Sequence, residues 1–434
     1  MTECNVALYG CGTVGMGVAQ MLLGRGALHS RLARSIHLKY VVDARLDDIR
    51  EELQPPDDVI LTDDLEAPLS DTEVGIVVEL FGGTDAARRV VTDALAAGKE
   101  VVTANKALLA DHGDDLYRLA RSNGRCIAFE ASVAGGIPVI DALRTALVGD
   151  RIERLYGIVN GTCNYVLTRM LELGAAYEDA LAEAQRLGYA EADPRLDVEG
   201  LDSAHKLAVL ARLAFGVDVR TADVACEGIA GVELSDLHYA QALGYTAKLL
   251  AIGIQRDRQV ELRVGPALLH RDHPLAGIGG VYNAVCIHGD RAGEIVLTGK
   301  GAGRVPTSSA VVADIARVAL GTYQVEFGEL AQFGDVPRAD LVPSGEVQAR
   351  YYLRLDCRDQ PGVLAGVAGI LAQEQISIAS VRQQEVAEDA EQFVPVVFMT
   401  HTARQGAFRR ALDRINRLDV VAGDRTRTLR VEDI

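Results

Sequence analysis

The chain has 434 residues and a net charge of −17, with an isoelectric point near 5.0. That length exceeds one hydrophobic core and sets an expectation of two or three domains. The negative charge excludes nucleic acid and anionic membrane as partners, because both demand concentrated positive charge. No apolar run approaches the ~20 residues that span a bilayer, and no basic region or cleavage site precedes the first strand, so the expected compartment is the cytoplasm. The seven cysteines, Cys4, Cys11, Cys126, Cys163, Cys226, Cys286 and Cys357, are odd in number and never form a CxxC pair. Neither a disulfide framework nor a zinc site is expected.

Asn5 to Tyr9 is a short apolar run. Gly10-Cys11-Gly12-Thr13-Val14-Gly15 follows it and leads into the helical pattern Val18, Ala19, Met21, Leu22. A lone GxGxxG is weak evidence, but here it has the preceding strand and following helix that a dinucleotide fingerprint requires. The glycines permit a tight turn and close approach of a pyrophosphate to the helix N-terminus, where unpaired N–H groups favour an anion. A second strand, Ile36 to Val42, ends at Asp43. An acid there can accept a hydrogen bond from the adenosine ribose of NAD, whereas Arg45 could hold the 2′-phosphate of NADP.

Gly75 to Phe81 reads as a buried strand ending in Gly82-Gly83-Thr84, with a helix from Asp85 to Ala97; Thr84 is a candidate cofactor contact. Glu100 to Thr103 is another strand, ending in Ala104-Asn105-Lys106, and Cys126 to Phe129 runs into Glu130-Ala131-Ser132-Val133-Ala134-Gly135-Gly136-Ile137-Pro138. Alternating strand and helix is the signature of an α/β doubly wound parallel sheet, whose ligands lie at the carboxyl ends of the strands. Lys106 is at such an end. A surface lysine is the ordinary reading, but position directs it to the nicotinamide side of the cofactor or the substrate.

From Arg151 the pattern changes: Leu155 to Val159 reads as a strand, Asn160-Gly161-Thr162 as a turn, and Cys163 to Leu173 as a helix. Ala184 to Lys206 then carries Glu191, Asp193, Asp197, Glu199 and Asp202, acids without evident counter-charges, which suit a cationic group such as a substrate ammonium. Leu201, Ala204, Ala208 and Ala211 share one stripe of a helix that is apolar on nearly every side through Phe215. Asp202 and Lys206 are four apart on it. On an exposed helix such a pair is ordinary and adds only ~0.2–0.5 kcal/mol, but a partly dry ammonium beside a carboxylate can donate and accept a proton.

Val281 to Ile287 and Ile295 to Gly299 flank Asp290-Arg291-Ala292-Gly293 as a hairpin of an antiparallel sheet, one that can carry a substrate pocket and a partner subunit. Lys300-Gly301-Ala302-Gly303-Arg304 precedes a helix, Ser308 to Leu320. It reads as a flexible turn or as a clasp on the cofactor, with Gly303 the candidate. Phe333 to Gly345 is polar, has two prolines and reads as a linker. A fresh βαββαβ unit follows: strand Tyr351 to Leu355, the turn Asp359-Gln360-Pro361-Gly362, a helix to Gln373, strands Ile376 to Val381 and Phe393 to Thr400, a helix Ala407 to Arg417, and a strand near Thr428 to Val431.

These residues resemble homoserine dehydrogenase. The central stretch is similar to its signature through Gly188, Asp193-Pro194, Asp197, Gly200, Asp202 and Lys206. Asn160-Gly161-Thr162 with Asn164-Tyr165, the Glu130 segment, Thr103 to Lys106 and the Gly301 to Gly303 loop match as well. The likeness covers about the whole chain. It implies a Rossmann-type sheet over 1–135, with 305–330 returning to it, a catalytic and dimerisation domain over 136–304, a linker over 331–347 and a ferredoxin-like ACT domain over 348–434. It also implies interconversion of L-homoserine and L-aspartate 4-semialdehyde with NAD or NADP, in threonine and methionine biosynthesis. Proton transfer falls to Lys206 with Asp202 beside it, and Lys106 to the cofactor and substrate region. The substrate ammonium falls to Glu191 and Asp197, beside Asn160, Gly161 and Thr162, and a sodium ion to the backbone of Glu130, Val133, Gly135 and Ile137.

The last unit resembles an ACT domain, where Asp359, Pro361 and Gly362 imply an amino-acid effector such as threonine; Gln375 departs from the Asn or Gly common there. A homodimer or homotetramer is implied, and an aspartokinase fusion is not expected. Two other readings are open: a thiol-dependent semialdehyde dehydrogenase using Cys163, which lacks a histidine nearby in sequence, and a non-catalytic dinucleotide and amino-acid sensor, which leaves the central acids and lysine idle.

Overall fold

A computed structural model describes residues 4–24, 32, 35–383 and 393–433. The chain forms two compact units: Met1–Val159, Asp202–Val224 and Tyr282–Ala339 make the first, and Asn160–Leu201, Ala225–Val281 and Asp340–Ile434 the second.

The first unit contains a six-stranded sheet of β1 (Cys4–Tyr9), β2 (Ile36–Val42), β3 (Ile60–Thr62), β4 (Val74–Glu79), β5 (Glu100–Thr103) and β6 (Ile127–Ala128), in the order β3-β2-β1-β4-β5-β6. Every pairing is parallel. The continuous apolar runs of β1, β4 and β5 are what a sheet covered on both faces demands. Strand order reverses between β1 and β4, which opens the ligand crevice at their carboxyl ends. β4 ends two residues before the expected Phe81, because the Glu79 carboxylate takes the Phe81 N–H at 2.7 Å and turns the chain away.

The Thr13–Leu23 helix packs against the helix Arg304–Leu320. A Cβ on Gly17 would lie 2.3 Å from Ser308 Oγ, so glycine is what lets them touch, and Ser308 Oγ donates to the Val14 carbonyl at 2.9 Å. The expected hairpin is present: Tyr282–Gly289 pairs antiparallel with Gly293–Lys300 and, on its other edge, with Ile152–Ile158. Most of the Leu201–Phe215 helix also lies in this unit and is buried along nearly its whole length. The segment expected as a linker makes fixed contacts. Phe333 is fully buried and stacks on Phe327 at 4.6 Å, and Arg212 donates to the Gln332 and Gly334 carbonyls.

The second unit holds helices Gly161–Leu173 and Tyr177–Arg186 and the long antiparallel pair Tyr245–Arg256 and Gln259–His270. Its C-terminal part has the expected βαββαβ order, with strands Gln348–Arg358, Ile378–Gln383, Phe393–Thr400 and Arg427–Glu432. These form an antiparallel sheet that starts at Arg427–Glu432 and runs through Gln348–Arg358 and Phe393–Thr400 to Ile378–Gln383. It is not a free-standing sheet. Arg427–Glu432 also pairs in parallel with Gln259–His270, through Ala267 with Arg430, Leu268 with Val431 and Leu269 with Glu432. The buried Arg263 guanidinium bonds Glu261 at 2.9 Å and Glu432 at 2.8 Å across this seam. Gln375 has φ +58°, a left-handed conformation that glycine and asparagine adopt more readily than glutamine.

Candidate active site

In the first unit, the glycine turn after β1 is built as the fingerprint requires. Gly10 has φ +90°, and a side chain there would meet the Leu80 carbonyl at 2.8 Å; one on Gly15 would meet the Gly10 carbonyl at 2.0 Å. Gly12 has nothing within 4 Å of its Cβ direction, which leaves room above it for a ligand. No side chain caps the Thr13–Leu23 helix that begins there, so the first-turn N–H groups of Thr13 and Val14 suit an anion. Asp43, at the end of β2, accepts from Cys11 N–H at 2.8 Å and from the Arg45 N–H and guanidinium at 3.0 and 3.2 Å. Burial would raise the Asp43 carboxyl, but these hydrogen bonds outweigh it and hold the group below its ordinary value. Arg45, expected as the alternative to Asp43, is thus tied to it.

Thr84 begins the Asp85–Ala96 helix, and Asn105 begins the helix Lys106–Ser122. Asn105 Oδ1 accepts from Leu108 N–H at 3.0 Å, a cap contributing about 1 kcal/mol, and its Nδ2 donates to the Gly83 carbonyl at 2.7 Å. Lys106 therefore projects from a fixed helix start.

Three candidates meet in the same unit. Lys206 Nζ donates to Asp202 Oδ2 at 2.6 Å and to the Val159 carbonyl at 2.7 Å, and Lys106 Nζ lies 3.3 Å from the other oxygen of Asp202. Asp202 and Lys206 are buried while the Lys106 side chain is 41% exposed. One carboxylate is shared by two ammonium groups, one dry and one half in solvent. The Val159 carbonyl was not legible as a ligand, although it directly follows the strand Ile152–Ile158 and precedes the Asn160 turn.

The Glu130 carboxylate turns onto its own loop and accepts from Ile140 and Asp141 N–H at 3.0 and 2.8 Å. Burial, and then Asp314, push it up to about 8. Any ion contact at Glu130 is left to its backbone. Ala134 and Gly135 both have positive φ, 54° and 45°, and Gly135 lies against the Gly301 carbonyl, 2.5 Å from where a Cβ would sit. Gly136 N–H donates to the Lys300 carbonyl at 3.1 Å. The bend from Val133 through Ile137 is thereby fastened to the second glycine-rich loop, where Gly303 has φ +110°.

The remaining candidates lie in the second unit. Asn160 caps the Gly161–Leu173 helix through Cys163 N–H at 2.9 Å and donates to Asp197 Oδ1 at 2.7 Å. Thr162 Oγ1 donates to the Tyr189 carbonyl at 2.6 Å. These contacts hold the loop containing Glu191, whose side chain is exposed. The expectation that the acids lack counter-charges fails at Asp193, which binds Arg195 at 2.5 Å; this pair holds the Asp193 carboxyl near 2. Cys163 is fully buried, with its thiol on the Asp197 carbonyl at 3.1 Å, a poor setting for the attacking thiol of the second reading.

Three family descriptions match the chain: "Homoserine dehydrogenase, NAD binding domain" over residues 10–130, "Homoserine dehydrogenase" over 138–316 and "ACT domain" over 351–420. The homoserine dehydrogenase of Pseudomonas aeruginosa is 40% identical and is aligned over all of both chains; that of Synechocystis is 40% identical over 96% of this chain and 97% of its own. Among solved structures, a homoserine dehydrogenase from Thiobacillus denitrificans superposes with a TM-score of 0.91 at 40% identity, covering 99% of this chain and 98% of that one. A hyperthermophilic archaeal homoserine dehydrogenase mutant in complex with NADPH has a TM-score of 0.63 at 28% identity, over 74% of this chain and 98% of that one. A dinucleotide turn, a lysine and carboxylate on one buried helix and full-length likeness lead to one conclusion: the chain belongs to the homoserine dehydrogenase family and carries an ACT regulatory domain.

Proposed function

We propose that Lys206 is the group that takes the hydroxyl proton when L-homoserine is oxidised and returns it to the aldehyde oxygen of L-aspartate 4-semialdehyde in reverse. The observation carrying this reading is the buried Nζ held at 2.6 Å from Asp202 and 2.7 Å from the Val159 carbonyl. Two acceptors fix its direction without neutralising it by themselves, because Asp202 is shared with Lys106. A fixed positive charge stabilises a developing alkoxide, and positioned proton transfer contributes about 10²–10⁴ in rate. The bound dinucleotide supplies the hydride acceptor or donor. Lys106 orients its nicotinamide end or the substrate, Thr84 lines the same crevice, and Gly10, Gly12, Thr13, Val14, Gly15 and Gly303 receive its phosphates. Glu191 and Asp197 take the substrate ammonium, beside Asn160, Gly161 and Thr162.

The Asp43 carboxylate, held by Cys11 and Arg45, favours an unphosphorylated adenosine ribose and thus NAD, while the archaeal relative's NADPH keeps NADP as the alternative. The carbonyl groups of Glu130, Val133, Gly135 and Ile137 offer the oxygen donors that a hard cation such as Na⁺ takes. By domain, 1–135 with 305–330 binds the dinucleotide, a reading supported by the packing of Arg304–Leu320 on Thr13–Leu23. Residues 136–304 carry catalysis and dimerisation, 331–347 connect, and 348–434 regulate. A cavity of about 420 Å³ lined by Asp359, Gln360, Pro361, Gly362 and Gln383 is large enough for an amino acid such as threonine. The half-exposed Ile295, Val296 and Leu297 on the Gly293–Lys300 strand suit a homodimer, and the C-terminal units could join dimers into a tetramer. No helix among the described residues is long and apolar enough to cross a membrane, and we place the enzyme in the cytoplasm.

A steady-state assay with homoserine, NAD and NADP side by side tests the reaction through reduced-nicotinamide absorbance. A change dependent on homoserine is expected, faster with NAD, and its absence would leave the sensor reading. Added threonine should lower the rate, and an unresponsive full-length enzyme would overturn the effector assignment.

A further inference from the structure

Glu79 ends β4 with no solvent exposure, in a parallel sheet whose other strands finish on apolar or neutral residues. Among the described residues no cation pairs with it. Its carboxylate instead collects neutral donors from two neighbouring loops. One oxygen accepts Phe81 N–H at 2.7 Å and the other accepts Thr103 O–H at 2.6 Å, with the Asn105 side chain nearby favouring the charged form. An ionised carboxylate is an acceptor with about four lone-pair sites, whereas a glutamine amide offers only two.

Each partner belongs to a candidate cofactor element. Phe81 and Leu80 form the wall against which Gly10 is packed, and Leu80 N–H bonds the Tyr9 carbonyl at 2.8 Å. Asn105 holds the Gly83 carbonyl beside Thr84 and caps the helix that begins with Lys106. Thr103 Oγ1 also accepts from Asn105 N–H at 3.0 Å. The glycine turn, the Leu80–Thr84 loop and the Lys106 helix start thus converge on one buried acid.

We propose that Glu79 is a positioning residue for hydride transfer: by binding Phe81 and Thr103, and through Thr103 the Asn105 N–H, it keeps the Leu80–Thr84 loop and Lys106 in one register around the nicotinamide end of the cofactor. This rests on the reading that Thr84 and Lys106 line that end. It never touches substrate or cofactor itself. An acid is required because an amide would present a donor to Thr103, whose own O–H would then lose its acceptor. Burial pushes Glu79 up to about 7 against the lowering effect of these hydrogen bonds, so the full set is strongest in alkaline buffer.

The test compares wild type, Glu79→Gln, Glu79→Leu, Thr103→Val and Lys106→Ala in alkaline buffer. Readouts are reduced-nicotinamide fluorescence for cofactor affinity, kcat, the KM for homoserine, and the isotope effect with homoserine deuterated at C4. Glu79→Leu should lose roughly a hundredfold in kcat, the cost of a displacement near 1 Å. Glu79→Gln and Thr103→Val should lose about tenfold. All three should weaken cofactor binding, raise the isotope effect and leave the homoserine KM within about twofold. If Glu79→Leu does not fold, the other two decide. A folded Glu79→Gln with wild-type kcat, cofactor affinity and isotope effect would overturn the proposal, as would a loss of melting temperature alone. Lys106→Ala separates the two ideas: if it behaves as wild type while the Glu79 variants weaken cofactor binding, the role of Lys106 falls and the positioning of the loop stands.

Discussion

Replacing Lys206 by methionine removes the ammonium and keeps most of the stem, so the buried helix retains its packing. Two acceptors lose their donor, Asp202 Oδ2 at 2.6 Å and the Val159 carbonyl at 2.7 Å. Stranding a buried carboxylate entirely costs about 3–5 kcal/mol. Here Lys106 stays 3.3 Å from the other oxygen, although its exposure means that solvent screens much of that attraction. A stability loss of about 1–3 kcal/mol is therefore expected, the usual cost of an unsatisfied buried acceptor. The effect on turnover is larger. Losing a positioned proton acceptor and a fixed charge should lower kcat by about 10³, equivalent to roughly 4 kcal/mol in the barrier. Cofactor affinity, read by nicotinamide fluorescence, should change by less than about threefold, because the glycine turn and Asp43 are untouched. A folded Lys206→Met enzyme keeping more than about a tenth of wild-type kcat would refute the assignment. Cofactor binding that fell in step with kcat would make Lys206 a cofactor ligand instead.

Asp43→Ala should raise the KM for NAD about tenfold, the worth of a charge-assisted hydrogen bond. It should spare NADP because Arg45 is released from Asp43, and equal changes in both KM values would refute the ribose role. Glu79→Gln should flatten the pH dependence of stability. A carboxyl raised from 4.5 to about 7 on folding contributes stability that is full below about pH 4.5 and lost as pH rises through about 7, roughly 3 kcal/mol in all. The wild-type melting temperature should therefore fall relative to the variant between about pH 5 and 8, and parallel profiles would contradict it. Gln375→Gly should raise the melting temperature, since φ +58° at Gln375 costs about 1 kcal/mol without glycine; an unchanged or lower value would show the strain to be offset. Ending the chain at Gly345 should yield an aggregating or non-cooperatively melting protein, because it removes the strand paired to Ala267–Leu269 and leaves Arg263 without Glu432. A stable, active truncation would refute this.

The parallel sheet was legible because most of its strands are short, largely apolar runs bounded by glycine or polar turn residues. β2 and β5 begin and end where the sequence places them, as does Phe393–Thr400. The Asp202 and Lys206 pair was legible for a different reason: helical periodicity puts them on one face and the apolar turns that follow imply burial. Less could be read where partners are remote in sequence. Nothing local ties Lys206 to the Val159 carbonyl, 47 residues earlier, or Glu79 to Thr103, 24 residues later. Glu79 did leave a signal, since a lone acid closing the run GIVVE has to be satisfied or functional. The Asp193 to Arg195 pair is two residues apart and is readable in the sequence once the bases among the acids are weighed with them.

The pairing of Arg427–Glu432 with Gln259–His270 was the least legible feature and has the largest mechanical consequence. Parallel partners about 160 residues apart leave no periodic trace, although Glu261 and Arg263, two apart on one face of an apolar strand, mark a buried charge awaiting a partner. With that seam closed, the ACT sheet and the long hairpin deform together. The turn at Asp359–Gly362, proposed above as the effector site, directly follows the strand Gln348–Arg358. In that strand Arg354 binds Asp236 at 2.7 Å and Glu233 at 2.6 Å, and Tyr352 binds Asp236 at 2.9 Å. Asp236 is 1% exposed, so breaking these bonds would strand a buried charge at a cost of several kcal/mol. A ligand in the turn can shift an equilibrium only by its differential affinity for two states, typically 1–3 kcal/mol. That is too little to detach the strand from Asp236. An effector held at that turn would therefore act by small, concerted movement of the shared sheet with its ion pairs intact, rather than by undocking of a separate module.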